Sequence, residues 1–136
     1  MWNGINHFTK FNMLSKNKKT IAVIGLGYVG HPLAINFGKT IDTIGFDISK
    51  KKILDFRKKI DRMCIFKKSD FKKAKFLRYE FNSASIKEAK YKIIALPTPI
   101  YKNMNPDLSL LKKGCILCAK NLKKKDVVVI ESTVYP

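Results

Sequence analysis

Thr20-Ile21-Ala22-Val23-Ile24-Gly25-Leu26-Gly27-Tyr28-Val29-Gly30 is the stretch on which the fold turns. Its first half is a short β-branched and apolar run that stops at a glycine, as a strand buried on both faces of a parallel sheet does. Its second half spells G-x-G-x-x-G. Alone, that string is weak. After a strand and at the opening of a helix it reads as the phosphate turn of a dinucleotide-binding βαβ unit. Gly25 then allows the tight turn, Gly27 lets a pyrophosphate approach the backbone, and Gly30 lets helix and strand pack closely. The N–H groups of Leu26, Tyr28 and Val29 belong to the same cradle, at a helix end that carries about half a positive charge.

Downstream, Tyr28–Phe37 carries apolar residues at helical spacing, and Gly38 stands where a left-handed terminating glycine belongs. Thr43–Asp47 reads as a second strand. Asp47 lies about 20 residues beyond the turn, where a carboxylate accepts hydrogen bonds from an adenosine ribose diol and repels a 2′-phosphate. NAD is therefore favoured over NADP. The plainer reading of Asp47 is a strand-end residue beside a helix cap. Ser49 caps Lys50–Ile60, whose Ile53, Leu54, Phe56 and Ile60 form one apolar face.

Asp61–Lys75 is the least legible region, with a short helix starting near Ser69-Asp70. Phe76–Phe81 reads as a third strand, Ser85–Ala89 as a helical turn or two, and Tyr91–Leu96 as a fourth strand halted by Pro97-Thr98-Pro99. A loop with Asn103, Asn105 and Pro106 leads to a helix over Leu108–Leu122, followed by Lys123, Lys124 and Lys125 at its negative end and a last strand, Val127–Glu131. The alternation specifies an α/β fold, a Rossmann-type doubly wound parallel sheet of strand order 3-2-1-4-5 with right-handed crossovers, truncated after about five strands. Residues 1–18 are polar and aperiodic, a loose arm or a segment ahead of a start at Met13; the dinucleotide-binding domain is 19–136.

The formal charge of +18 raises nucleic acid as a partner, but all 28 basic residues except Arg57, Arg62 and Arg78 are lysine, scattered along the chain. Base readout and phosphate forks favour arginine, so a solvated lysine surface is the better reading. No apolar run approaches the roughly 18 residues that span a bilayer, and Asn3, Asn6, His7 and Lys10 interrupt any signal-peptide core. A cytoplasmic protein without a membrane role is expected. Cys64, Cys115 and Cys118 are an odd number, expected as reduced thiols. Cys115 and Cys118 sit one helical turn apart, which reads as packing; with no second pair, no metal site is expected.

Lys19–Pro32, Gly45-Phe46-Asp47-Ile48, Pro97-Thr98-Pro99-Ile100, Asn105-Pro106-Asp107-Leu108 and Glu131-Ser132-Thr133-Val134-Tyr135-Pro136 stand in order at sensible spacing. Together they resemble the UDP-glucose/GDP-mannose dehydrogenase family, in the branch that oxidises UDP-N-acetylhexosamines for surface polysaccharides. The resemblance implies that NAD is the cofactor and a UDP-sugar the substrate, oxidised at C6 by two hydride transfers. It implies that Pro97 and Thr98 touch the ribose and nicotinamide side, that Lys52 stands where many members place an arginine near the adenosine ribose, and that Thr133 lies near the cofactor and sugar and helps hold the catalytic water. It also implies a thiol nucleophile and a UDP-binding domain beyond position 136; Cys64, Cys115 and Cys118 match no family nucleophile. Lys59 replaces a common glycine, Tyr101 a common acidic residue and Lys90 an aspartate. The chain is accordingly expected to be inactive alone. Its partners in view are a separately encoded C-terminal part or further copies of itself. A non-catalytic dinucleotide-binding relic and a basic nucleic-acid-binding protein are the rival readings.

Overall fold

The computed structural model describes residues 20–100 and 106–132. The expected N-terminal arm, Tyr101, the Asn103–Asn105 part of the loop and Thr133 lie outside these residues. Five parallel strands, β1 (Ile21–Ile24), β2 (Thr43–Phe46), β3 (Leu77–Glu80), β4 (Tyr91–Ile94) and β5 (Val127–Ile130), form one sheet in the order β3-β2-β1-β4-β5. The expected topology is therefore found. β1 pairs with β2 from Ile21↔Thr43 to Ile24↔Phe46 and with β4 from Ile21↔Tyr91 to Ile24↔Ile94. Both neighbours of β1 thus end level with it, and their C-terminal ends meet at one edge.

Helices α1 (Gly30–Phe37), α2 (Lys50–Arg57) and α3 (Lys68–Lys73) cover one face of the sheet. A 3₁₀ segment (Ser83–Glu88) and α4 (Ser109–Lys120) cover the other. Alternate strand residues feed the two cores: Ile21 and Val23 pack with Ile35, Ile53, Phe56 and Tyr79, while Ala22 and Ile24 pack with Ile44, Ile86, Ile94 and Leu111. All four residues of β1 and β2 are buried, as an apolar central strand requires.

Several local expectations are corrected. Helix α1 begins at Gly30, not Tyr28; Tyr28 and Val29 stay exposed on the turn. Gly38 has φ −64°, so no left-handed conformation explains it. It is glycine because a Cβ there would lie 2.5 Å from Leu77 Cβ, where α1 runs down onto β3. Helix α2 stops at Arg57, and its buried face is Ile53 and Phe56; Leu54 and Ile60 are exposed. Among the described residues three outside glycine take positive φ, and one is Lys59 at +61°, where the chain leaves α2. Lysine in that conformation is strained.

Two buried polar arrangements were not legible in the sequence. His31, in the first turn of α1, is fully buried and stacks on Phe56 with centroids 3.9 Å apart. Its Nε2 is hydrogen-bonded to Tyr79 Oη at 3.0 Å, and Nδ1 has no partner among the described residues. Burial pulls its pKa from 6.5 to about 4. On β4, Lys92 is also fully buried; its Nζ donates to Ala89 O and, at 2.7 Å, to Asp126 Oδ2. Asp126 also accepts from Lys123 N, so the pair anchors the entry to β5. Cys118 is buried and Cys115 packs beside the same core, the packing role expected of that pair. Burial pushes the Cys118 thiol up to about 11.

Candidate cofactor site

The site forms where β1 and β4 end side by side and their following chains diverge to opposite faces of the sheet. Such a divergence leaves a crevice beyond the strand ends, the usual ligand position in a doubly wound sheet. The glycine turn fills its middle. Gly25 has φ +91°, and a Cβ there would lie 2.6 Å from Leu96 Cδ2 and 2.7 Å from Ala95 O. A Cβ on Gly30 would lie 1.8 Å from Gly25 O, so this glycine lets α1 start against the end of β1. Gly27 differs: a Cβ there meets no atom within 4 Å. The protein's own packing gives no reason for glycine at 27, and the space beside it is open.

Val29, at the N-cap of α1, offers no capping side chain, and the first turn of the helix holds no acidic residue. Pro32 sits in that turn, where a missing N–H costs nothing. What α1 presents to the crevice is the positive end of its dipole, as an anion requires.

Asp47 follows directly on β2 and is 7% exposed. Its Oδ2 accepts from Leu26 N at 3.0 Å and from Lys52 Nζ at 2.8 Å, and its Oδ1 accepts from Ser49 N at 2.9 Å. The plainer reading of this residue, a strand-end aspartate beside a helix cap, is found. It fastens the β2–α2 connection, where Ser49 Oγ accepts from Lys52 N as the helix cap, and it reaches across to the glycine turn. The bond from Leu26 N ties the turn to the end of β2.

Two pockets flank the turn. One, of about 210 Å³, is lined by Gly25, Asp47, Ile48, Leu96, Lys113, Gly114 and Leu117 among others. It is an apolar slot with a carboxylate at its rim. The other, of about 250 Å³, is lined by Gly27, Tyr28, Val29, Leu96, Pro97, Thr98, Glu131 and Ser132. Leu96 lines both. The structure therefore brings Gly25, Asp47, Gly27, Tyr28, Val29, Pro97 and Thr98 to one crevice, with Leu26 and Gly30 buried beneath it and Lys52 bonded to Asp47.

Ser132 was missed as an individual residue. Its hydroxyl donates to Leu96 O at 2.8 Å and accepts from Leu96 N at 3.2 Å, replacing a ladder pair just where β4 and β5 end. It fixes the segment bearing Pro97 and Thr98 against the segment that leads to Thr133. A serine inside a recognised motif was the available signal. Cys64 and Cys115 line neither pocket, and no group of three or more metal-binding side chains occurs among the described residues.

The comparisons with known proteins agree with this geometry. Residues 19–136 match the UDP-glucose/GDP-mannose dehydrogenase family, NAD binding domain. The chain belongs to that family. It is 40% identical over 124 residues to the UDP-N-acetyl-D-glucosamine 6-dehydrogenase of Salmonella typhi, covering 91% of this chain and 29% of that protein. It is 42% identical over 116 residues to the enzyme of the same name from Pseudomonas aeruginosa, covering 85% and 28%. Among solved structures it resembles the UDP-D-ManNAc dehydrogenase of Pyrococcus horikoshii, with a TM-score of 0.80 at 30% identity over 86% of this chain and 29% of that one. The chain thus spans about three-tenths of the relatives' length. For a domain of this family the cofactor is NAD, and the site fits it: the cradle at Gly27 is open, and the adenosine side offers both an apolar slot and a carboxylate.

Proposed function

We propose that this chain provides the NAD-binding part of a nucleotide-sugar 6-dehydrogenase that oxidises a UDP-N-acetylhexosamine to its uronic acid. The observation that carries the reading is the crevice itself, with the glycine turn between an adenosine-like slot and a second pocket bearing Pro97 and Thr98. The sugar class follows the relatives at 40–42% identity, which are UDP-N-acetyl-D-glucosamine 6-dehydrogenases. When bound, NAD accepts hydride from the sugar C6.

The chain's residues then have distinct tasks. Gly27 and the start of α1 seat the pyrophosphate, Asp47 receives the ribose diol with Lys52 beside it, and Pro97 and Thr98 border the nicotinamide side. Thr133 adjoins Ser132 and holds the water needed for the second oxidation. Hydride transfer further requires sugar and nicotinamide in near-attack geometry. The chain spans about three-tenths of the relatives' length, and in this reading it binds cofactor without turnover when alone. No helix among the described residues is long and apolar enough to cross a membrane. The three free cysteines accord with a reducing, cytoplasmic setting.

The test is a chimera in which this chain replaces the matching segment of the Salmonella typhi relative, alongside the 136-residue chain alone. The chimera is expected to form NADH with UDP-N-acetylglucosamine, and the chain alone to form none. A folded chimera that binds NADH but forms none from NAD and UDP-N-acetylglucosamine would overturn this chain's place in that reaction. Steady turnover by the chain alone would overturn the division of labour.

A further inference from the structure

The second pocket holds a carboxylate to which the cofactor reading gives no task. Of the residues lining that pocket, Glu131 alone carries a formal charge. Glu131 directly follows β5, where its N–H donates to Ile94 O at 2.8 Å. The β4–β5 register pairs Ile93 with Val129 and Ile94 with Ile130, and one step further sets Glu131 level with Ala95. Residues level on adjacent parallel strands share a face of the sheet. Ala95 belongs to the core on the α1 face, and a Cβ on Gly30 would lie 3.1 Å from its own. Glu131 is therefore delivered to the face on which α1 begins, across the pocket from the glycine turn. It is exposed, and no hydrogen bond or ion pair with another described residue engages its carboxylate.

The two ends of a dinucleotide cofactor call for opposite charge. The pyrophosphate is anionic and suits the positive start of α1. The oxidised nicotinamide ring is cationic, whereas the reduced ring is neutral. A carboxylate at the nicotinamide end attracts the first and is indifferent to the second. The rest of the lining is glycine, apolar side chains and neutral hydroxyls, which make no such distinction. We propose that Glu131 is a nicotinamide-binding residue whose carboxylate selects the oxidised cofactor, raising the affinity for NAD relative to NADH. Such a bias serves an oxidation, because the oxidant is held and its reduced form is let go. The inference rests on the cofactor reading of the crevice and adds a discrimination between the cofactor's redox states.

The probes are NAD, NADH and ADP-ribose, which lacks the nicotinamide. Each is titrated by calorimetry into the 136-residue chain and into Glu131→Gln and Glu131→Lys, with circular dichroism to confirm folding. Glu131→Gln should weaken NAD roughly three- to tenfold, the effect of one charge at a partly solvated site. It should change NADH by less than about twofold and leave ADP-ribose unchanged. Glu131→Lys should widen the loss for NAD, the charge now being repulsive. Equal losses for NAD and NADH, or no loss for NAD, would overturn the charge argument. Equal losses for all three ligands would reduce Glu131 to a structural part of the β5 end and overturn the proposal. In each of those cases the cofactor site stands. Failure of the folded native chain to bind even ADP-ribose would overturn the cofactor reading and this inference with it.

Discussion

Substituting the three turn glycines one at a time should separate folding from binding. At Gly25, alanine must adopt φ +91°, and its Cβ would sit 2.7 Å from the Ala95 carbonyl oxygen. The backbone conformation costs about 1–2 kcal/mol, and forced repacking costs about 1–3 kcal/mol more. Gly25→Ala should therefore lose about 2–5 kcal/mol of stability. Gly30→Ala should lose at least as much, because the clash is 1.8 Å against a backbone oxygen that cannot swing away. Gly27→Ala meets nothing within 4 Å and is not among the glycines with positive φ. Its folding effect should be neutral or stabilising by about 0.4–1 kcal/mol, through the lost freedom of the unfolded chain. Its binding effect should be large, since the methyl occupies the pyrophosphate's line of approach: a loss of at least about tenfold in NADH affinity, and more for Gly27→Val. Urea unfolding and NADH fluorescence titration measure the two quantities on the same samples. If Gly27→Ala is destabilised like Gly25→Ala, or binds NADH as tightly as the native chain, the assignment of the open space at Gly27 to the cofactor is wrong.

Two further outcomes follow from the cores and the backbone. His31 is held neutral, its pKa pulled to about 4 by burial, while in the unfolded chain it titrates near 6.5. The unfolded state therefore binds more protons between these values, and stability should fall as pH falls from about 6.5 to 4, by up to about 3 kcal/mol. Urea unfolding at pH 7.5 and 4.5 should show a smaller pH effect in His31→Leu than in the native chain, and equal effects in both would refute the burial argument; carboxylate titration cancels in that comparison. Lys59 holds φ +61°, so Lys59→Gly should raise the unfolding free energy by about 1 kcal/mol, the strain relieved outweighing the added freedom of the unfolded chain. A loss of stability would place the strain elsewhere.

The βαβ unit was legible because its signals are local. The apolar run Ile21–Ile24, the glycine spacing and the distance to Asp47 fix both the elements and their meaning, and the alternation that follows fixes the strand order. What the sequence hid depends on pairing across long separations. His31 with Tyr79, and Lys92 with Asp126, leave no periodic trace. Lys92 even runs against the apolar pattern of a central strand, and only its partner explains it. Helix ends misled for a related reason: Gly38 looked like a left-handed stop, yet its constraint comes from Leu77 on a different element. At the site, the residue types were readable but their mutual bonds were not. Asp47 was readable as a carboxylate at the strand end beside a helix cap, but its bonds to Leu26 N, Ser49 N and Lys52 Nζ were not.

The way the glycine turn is held shows how a local motif comes to depend on the sheet. On one side, Leu26 N donates to Asp47 at the end of β2, and Gly25 N donates to Phe46 O on the same strand. On the other, Ala95 N donates to Ile24 O, and Ser132 clasps both backbone groups of Leu96. The turn's position is therefore set by strands on both sides, and the two pockets take their separation from the spacing of neighbouring strands, about 4.8 Å each. A peptide carrying Thr20–Phe37 would keep the glycines but lose every one of these tethers except its own helix bonds. The cofactor crevice is a property of β2, β1, β4 and β5 ending level, and the glycine string supplies only the backbone that can pass between them.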